Sequence, residues 1–260
     1  MKIVLTNLLA AALPLIAGAA LHNETIVYKQ GDTVLEGWLA YDTNIQGKRP
    51  GVLIVHQWKG LGDYEKKRAE MLAKLGFNVF ALDIYGQGIR PTDPREAGVE
   101  AGKYKGNRGL LRARAQAGLQ VLQSHPMTDS KRVAAIGYCF GGTTVIELAR
   151  SGANIAGVVS FHGGLDAPKP EDGKNIKCKV LALHGADDPF VPVKEIAAFE
   201  EEMRQAGVDW QLVAYGGAVH SFTDFNAGSD NSKGAAYNEK ADHRSWEAMK
   251  QFFAEIFQTK

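Results

Sequence analysis

The amino-acid sequence predicts an α/β fold with a mostly parallel central sheet, helices on both faces and an N-terminal antiparallel hairpin. Short apolar runs of strand length, such as RPGVLIVHQ from Arg49, alternate with segments whose apolar residues recur at helical spacing. Alternation of this kind is typical of parallel sheets that are covered on both faces. Sites in such sheets form outside the carboxyl ends of the strands, so the residues that follow each strand are of most interest.

The elements follow one another without a long linker. The stretch ETIVYKQGDTVLEGWLAY predicts two strands joined at Gly31-Asp32, a dipeptide typical of hairpin turns. DYEKKRAEMLAKLG predicts a helix that stops at a glycine, FNVFALDIYG a buried strand, and the Pro/Gly-rich QGIRPTDPREAG a loop. Helices and strands then alternate in NRGLLRARAQAGLQVLQS, KRVAAIG, GTTVIELARSG, NIAGVVSFHG, KCKVLALHG, VKEIAAFEEEMRQAG, DWQLVAYGG and ADHRSWEAMKQFFAEIF.

Composition places the chain among ordinary folded proteins and argues against some partners. Of its 260 residues, 45% are hydrophobic and 23% charged, as in folded globular domains. Thirty lysines and arginines against 29 aspartates and glutamates give a formal charge of +1. No basic stripe suggests nucleic acid as a partner. With no internal repeat, the sequence predicts one domain over residues 21–260, as a monomer or small homo-oligomer.

The first twenty residues differ from the rest. Lys2 precedes the uncharged stretch IVLTNLLAAALPLIAGAA, which contains the small-residue pattern Ala17-Gly18-Ala19. This pattern predicts a secretory signal peptide over residues 1–20, with cleavage near Ala19–Leu21 and no stable membrane association afterwards. We therefore expect a secreted protein, periplasmic if the source is bacterial. An N-terminal membrane anchor is the alternative, but Pro14 and the short apolar core favour cleavage.

The motif GYCFGG follows the strand KRVAAI and opens a helix. A nucleophile between small residues at such a turn is typical of a nucleophile elbow, here with Cys139 where serine is usual. Gly137 and Gly141 would let strand and helix approach without Cβ clashes. The adjacent helix N-terminus would favour the thiolate. The alternatives are an inert buried cysteine or a disulfide with Cys178, which we expect at the opposite end of the sheet.

A base and an acid follow Cys139 in the chain, each just after a strand. LALHGADDPFVP places Asp187 and Asp188 after one strand, and VAYGGAVHSF places His220 after the next. The order nucleophile, acid, histidine is that of the α/β-hydrolase triad. Asp187 is the alternative acid, or a simple turn residue. No further ligand spacing near the Asp187-Asp188 pair suggests a metal site.

The chain resembles the dienelactone hydrolase family of α/β-hydrolases from about Glu24 onward. The resemblance is carried by VLIVHQWKGL, ALDIYGQG, GYCFGG, SFHGGL, VLALHGADDPFVP and HSF. It implies the α/β-hydrolase fold and assigns Cys139 as nucleophile, Asp188 as acid and His220 as base, with no metal or organic cofactor. It also implies an oxyanion hole built by the backbone N–H groups of Phe140 and Trp58.

Two positions depart from the family pattern. Gln57 stands where members commonly carry a glutamate, and Asp224 stands where the founding enzymes carry a carboxylate-binding arginine. Gln57 can hydrogen-bond a thiol but cannot take its proton, so thiol activation would fall on His220. We expect Tyr138 to line the pocket and His162 to stabilise the loops of the site.

These features predict a hydrolase of a small ester or lactone. A general carboxylesterase or thioesterase would use the same groups, and a catalytically silent α/β-hydrolase that binds a ligand or partner protein is the alternative from another class. The basic segment GKYKGNR, with Lys103, Lys105 and Arg108, could meet an anionic substrate. A solvated loop and helix start is the preferred interpretation of that segment.

Overall fold

The structure, a computed structural model, describes residues 20–258 of the chain. The predicted signal peptide over 1–20 therefore lies outside the described residues, apart from Ala20. The strands are β1 Leu21–Gln30, β2 Thr33–Asp42, β3 Arg49–Val55, β4 Asn78–Leu82, β5 Thr128–Tyr138, β6 Gly157–Phe161, β7 Lys179–Gly185 and β8 Trp210–Tyr215. They form one eight-stranded sheet with strand order β1-β2-β4-β3-β5-β6-β7-β8.

The predicted hairpin and parallel sheet are both present. β1 pairs antiparallel with β2 across the Gly31-Asp32 turn, where Gly31 has a φ of +56°, a value that glycine adopts at little cost. β2 joins the sheet antiparallel to β4, and every pairing from β4 to β8 is parallel. The carboxyl ends of β3 to β8 therefore lie along one edge of the sheet.

Helices cover both faces of the sheet, and alternate residues of each strand pack on opposite helix layers. The helices are α1 Asp63–Lys74, α2 Pro94–Lys105, α3 Arg108–Ser124, α4 Phe140–Arg150, α5 Val193–Ala206 and α6 Glu239–Ile256. From β3, Leu53 and Val55 face the layer of α2, α3, α4 and α5, while Val52 and Ile54 face that of α1 and α6. Within residues 20–258, no helix has the length and apolar character needed to cross a membrane.

One predicted loop is wrong in its second half. The segment QGIRPTDPREAG runs into α2, which begins at Pro94. The Asp93 side chain caps this helix by accepting hydrogen bonds from the N–H groups of Arg95 and Glu96, and proline is favoured at a first helical position. The composition of the segment suggested a loop, but Asp-Pro there is a helix-start signal. Lys103 and Lys105 consequently lie on a helix rather than in a loop.

Candidate active site

The turn between β5 and α4 has the geometry of a nucleophile elbow. Cys139 has φ +56° and ψ −115° between the end of β5 and the start of α4. A Cβ on Gly137 would lie 2.0 Å from the Gly141 carbonyl oxygen, and one on Gly141 would lie 2.2 Å from the Val55 carbonyl oxygen. Because these contacts are with backbone atoms, only glycine fits at both positions. The two glycines of the motif thus explain how the turn closes.

The structure brings Cys139, His220 and Asp188 into one line of hydrogen bonds. His220 Nε2 lies 3.1 Å from Cys139 Sγ, and His220 Nδ1 lies 2.8 Å from Asp188 Oδ2. The Asp188 side chain is fully buried, whereas the His220 side chain is 13% exposed. Asp187 points elsewhere, since its carboxylate accepts the Gly217 N–H at 3.0 Å. Asp188 is therefore the carboxylate in contact with the imidazole, and Asp187 holds a turn.

The surroundings of Cys139 and His220 favour a thiolate beside an imidazolium. Burial alone would raise the pKa of the Cys139 thiol, but the charge and hydrogen bond of His220, with the Phe140 N–H, lower it below the ordinary value. Burial likewise opposes the charged form of His220. The Cys139 sulfur and Asp188 nevertheless raise the pKa of the imidazole well above its usual range. Each group thus stabilises the charged form of the other.

The loop after β3 carries the second expected oxyanion donor. Among the described residues, no hydrogen bond uses the Trp58 N–H, while the Trp58 carbonyl accepts the Tyr85 hydroxyl at 2.9 Å. Glu65 anchors both ends of the loop, because its carboxylate accepts the N–H groups of Gln57 at 3.0 Å and Gly62 at 2.9 Å. Burial raises the pKa of Glu65 to about 7, against the effect of these two donors. Sequence reasoning missed Glu65, although a glutamate in the first turn of α1 suits a capping box.

The two departures from the family pattern contact each other. The Gln57 side-chain amide donates to Asp224 Oδ2 at 3.2 Å, across 167 residues of sequence. Among the described residues, no hydrogen bond joins Gln57 to Cys139. Tyr138, expected to line the pocket, is instead fully buried. It stacks on Phe161 in the core layer under α1 and α6, because the strand pleat directs it away from the site.

His162 contacts the backbone of Cys139. Its Nδ1 accepts the Cys139 N–H at 3.1 Å, and its Nε2 lies 2.8 Å from the Thr223 hydroxyl oxygen. The ring also packs edge-on against His220, with ring centres 5.3 Å apart. These contacts place His162 between the elbow and the turn that begins at His220, and its role in stabilising the site loops stays a prediction. Thr223 was not foreseen, since nothing in HSFTDF distinguishes its hydroxyl from that of an ordinary buried threonine.

The second cysteine lies apart from the site. Cys139 and Cys178 are both free thiols, and Cys178 is buried just before β7, at the amino end of that strand. Burial raises the pKa of Cys178 to about 12. Within residues 20–258, no three or more His, Cys, Asp or Glu side chains are arranged to hold a metal ion.

An eight-stranded, mostly parallel sheet with a nucleophile-elbow turn after a central strand is the arrangement of the α/β-hydrolase class. The family model described as "Dienelactone hydrolase family" matches residues 35–257. The chain belongs to this family and is a hydrolase.

Relatives cover most of the chain, and two of them have solved structures. A solved structure titled "m3DLH" is 42% identical, covers 92% of this chain and all of its own, and superposes with a TM-score of 0.89. A dienelactone hydrolase-like promiscuous phosphotriesterase, P91, from metagenomic libraries is also 42% identical, with 93% and 100% coverage and a TM-score of 0.88. A relative from Synechocystis sp., named as a candidate carboxymethylenebutenolidase, is 24% identical over 84% of this chain and 91% of its own.

Proposed function

We propose that the protein hydrolyses a small ester or lactone through a covalent thioester on Cys139. The observation that carries this proposal is the line of contacts from Cys139 Sγ through His220 to the buried Asp188. A nucleophile within reach of a base, which a third group orients, is the arrangement required for covalent acyl transfer. A binding protein would have no need for all three groups in this geometry.

In the first half-reaction, the Cys139 thiolate attacks the carbonyl carbon and the carbonyl oxygen becomes an oxyanion. The His220 imidazolium gives its proton to the leaving alkoxide as the C–O bond breaks, which yields an alcohol and a thioester. Asp188 keeps the Nδ1 proton in place and the ring oriented throughout. For a lactone, the alcohol stays attached to the acyl group.

In the second half-reaction, neutral His220 takes a proton from water and the resulting hydroxide attacks the thioester carbonyl. The attack gives a tetrahedral intermediate. Its collapse breaks the C–S bond, releases the acid and restores the thiolate–imidazolium pair. We assign the oxyanion to the N–H groups of Phe140 and Trp58. A donor of this type contributes about 3 kcal/mol to the transition state where it has been removed by mutation.

The charged side chains near the loop after β3 indicate which substrate charge the site can accept. Asp224 is half-buried and places a carboxylate on the Gln57 side chain, where a cation would be needed to receive a substrate carboxylate. We therefore include neutral esters and lactones in the proposed substrate class. Measured side by side, kcat/KM values for a neutral lactone, an anionic dienelactone and a thioester identify the class and distinguish lactonase from general carboxylesterase or thioesterase.

The nucleophile is tested by the first turnover of p-nitrophenyl acetate. We expect a burst of about one p-nitrophenol per protein molecule, because this activated ester should acylate the elbow thiol faster than water hydrolyses the thioester. Cys139→Ala should remove the burst and lower turnover by about a thousandfold or more. Cys178→Ala is the matched control and should keep both, since this thiol lies at the other end of the sheet. Equal rates of hydrolysis by Cys139→Ala and the unaltered protein, with no burst from either, would favour the binding-protein alternative.

A second candidate activity is cleavage of phosphotriesters. It is favoured by the 42% identity to a promiscuous phosphotriesterase over 93% of this chain. A thiolate beside N–H donors also suits attack at phosphorus, where a phosphoryl oxygen gains negative charge. The same pair of cysteine variants, assayed with a p-nitrophenyl phosphotriester, shows whether Cys139 carries this activity as well.

A further inference from the structure

Backbone conformations that side chains rarely adopt are concentrated around the site. Among residues 20–258, the non-glycine residues with positive φ are Cys139 at 56°, His162 at 40° and Ser221 at 57°. Such conformations persist only where the surrounding structure over-determines them. The contacts that hold these three residues are therefore part of what places the nucleophile and the base.

One hydrogen-bonded path joins all three strained segments. The Cys139 N–H donates both to the Phe161 carbonyl at 3.0 Å and to His162 Nδ1 at 3.1 Å. His162 Nε2 lies 2.8 Å from Thr223 Oγ1, and Thr223 follows Ser221 by two residues in the turn that begins at His220. His162 and Thr223 are both fully buried, so water cannot replace either partner.

The path fixes the proton on His162. Because Nδ1 accepts the Cys139 N–H, it must be unprotonated, and the ring proton must therefore be on Nε2, which donates to Thr223. A charged His162 is disfavoured, since burial, together with the charges of His220 and Arg68, lowers its pKa well below the ordinary value. Neutral His162 can thus stand 5.3 Å from the charged ring of His220 without repelling it.

Thr223 is itself held from outside the site. Arg68 in α1 donates to the Thr223 carbonyl at 2.7 Å and also pairs with Asp242 in α6. The Tyr64 hydroxyl lies 2.6 Å from the Thr223 hydroxyl and accepts Arg68 Nε at 3.2 Å. These contacts leave Thr223 Oγ1 at a fixed place in front of His162 Nε2.

We propose that Thr223 and His162 are positioning residues for the nucleophile, with Thr223 selecting the His162 tautomer that holds the Cys139 N–H. The proposal rests on the proposed function in that Cys139 is the nucleophile. Without the hydroxyl, either Nε2–H stays buried with no acceptor or the proton moves to Nδ1 and faces the Cys139 N–H. Both states disturb the elbow without removing any group that touches substrate.

Thr223→Val and Thr223→Ser form the matched pair that tests it. Valine keeps the shape of threonine but removes the hydroxyl, whereas serine keeps the hydroxyl. We expect kcat on p-nitrophenyl acetate to fall about tenfold to a hundredfold in Thr223→Val, as for a buried group that loses its partner, with KM nearly unchanged. Thr223→Ser should stay within about threefold of the unaltered protein in kcat.

The ¹⁵N chemical shifts of histidine report the tautomer directly and do not depend on catalysis. We expect neutral His162 with the proton on Nε2 in the unaltered protein and in Thr223→Ser, and a mixed or Nδ1–H state in Thr223→Val. A protonated ring or an Nδ1–H tautomer in the unaltered protein would overturn the proposal, even if Thr223→Val failed to fold. So would an unchanged tautomer and kcat in Thr223→Val, or an equal loss of kcat in Thr223→Ser. A protein without any burst but with the expected tautomers would instead refute the proposed function alone.

Discussion

At the scale of single residues, Cys139 and His220 titrate as a pair that Asp188 controls. Burial opposes the charged form of His220, but the Cys139 sulfur and then the Asp188 carboxylate raise its pKa, and the imidazolium in turn lowers the pKa of the thiol. The thiolate is therefore maintained down to the lowered pKa of Cys139, below which protonation of the sulfur removes the nucleophile. On the alkaline side, loss of the His220 proton removes the acid that protonates the leaving group.

The rate of alkylation by iodoacetamide follows the thiolate and checks this coupling. Asp188→Asn should lower the pKa of His220, because a neutral amide no longer stabilises the imidazolium. The pKa of Cys139 should then rise, and alkylation at a pH below the thiol pKa of both proteins should slow by about tenfold for each unit that this pKa moves. Asp187→Asn is the control, because the Asp187 carboxylate accepts a turn N–H and does not contact His220 among the described residues, and its profile should match the unaltered protein. Equal profiles for the two variants would contradict the assignment of Asp188.

The residues predicted from sequence are those whose neighbours along the chain carry the signal. Cys139, Asp188 and His220 stand in short motifs after strands, and their chain order indicated that they meet. Thr223 and Glu65 have no such motif, since their roles come from contacts with distant segments. The bond between Gln57 and Asp224 spans 167 residues, so the sequence could name both positions but could not pair them.

At the scale of elements, local signals explain most of the secondary structure. β1 is an edge strand with many exposed residues and lacks the apolar run that predicted β3 and β4, so the Gly31-Asp32 turn was the feature that revealed it. The sequence did not predict α2, and one reason is that Gly98 and Gly102 lower the helix propensity of this segment. Its cap at Asp93 and its contacts with α3 compensate for those glycines.

Substitution by alanine should have opposite effects on protein stability at the elbow glycine Gly141 and at Gly98 in α2. Gly141→Ala should prevent the β5–α4 turn from closing, because its Cβ would lie 2.2 Å from a carbonyl oxygen of β3. Gly98→Ala meets no atom within 4 Å on an exposed helix face and should stabilise the protein by about 0.5–1 kcal/mol. Urea unfolding and the p-nitrophenyl acetate burst measure both effects. Retention of the burst in Gly141→Ala would contradict the tight-turn account.

At the scale of the whole molecule, a buried ion cluster ties one helix layer together. The Arg150 side chain, 1% exposed, bonds Glu147 in α4 and both carboxylate oxygens of Glu202 in α5. It also donates to the Asp166 carbonyl in the segment that follows β6. Arg150 thus joins two helices to a connection at the carboxyl edge of the sheet, and its charge is compensated within the core.

Removal of Arg150 should therefore destabilise the whole domain. Arg150→Met fills similar space but leaves the carboxylates of Glu147 and Glu202 buried with less compensating charge, which costs about 3–5 kcal/mol when one partner of a buried pair is removed. Arg204→Met is the control, on helix α5, which also carries Glu202. The Arg204 side chain is 55% exposed beside Glu200 and Glu201, and exposed pairs contribute about 1 kcal/mol or less. The free energy of unfolding in urea measures both effects. An equal fall in the two variants would show that burial does not increase the contribution of the cluster to stability.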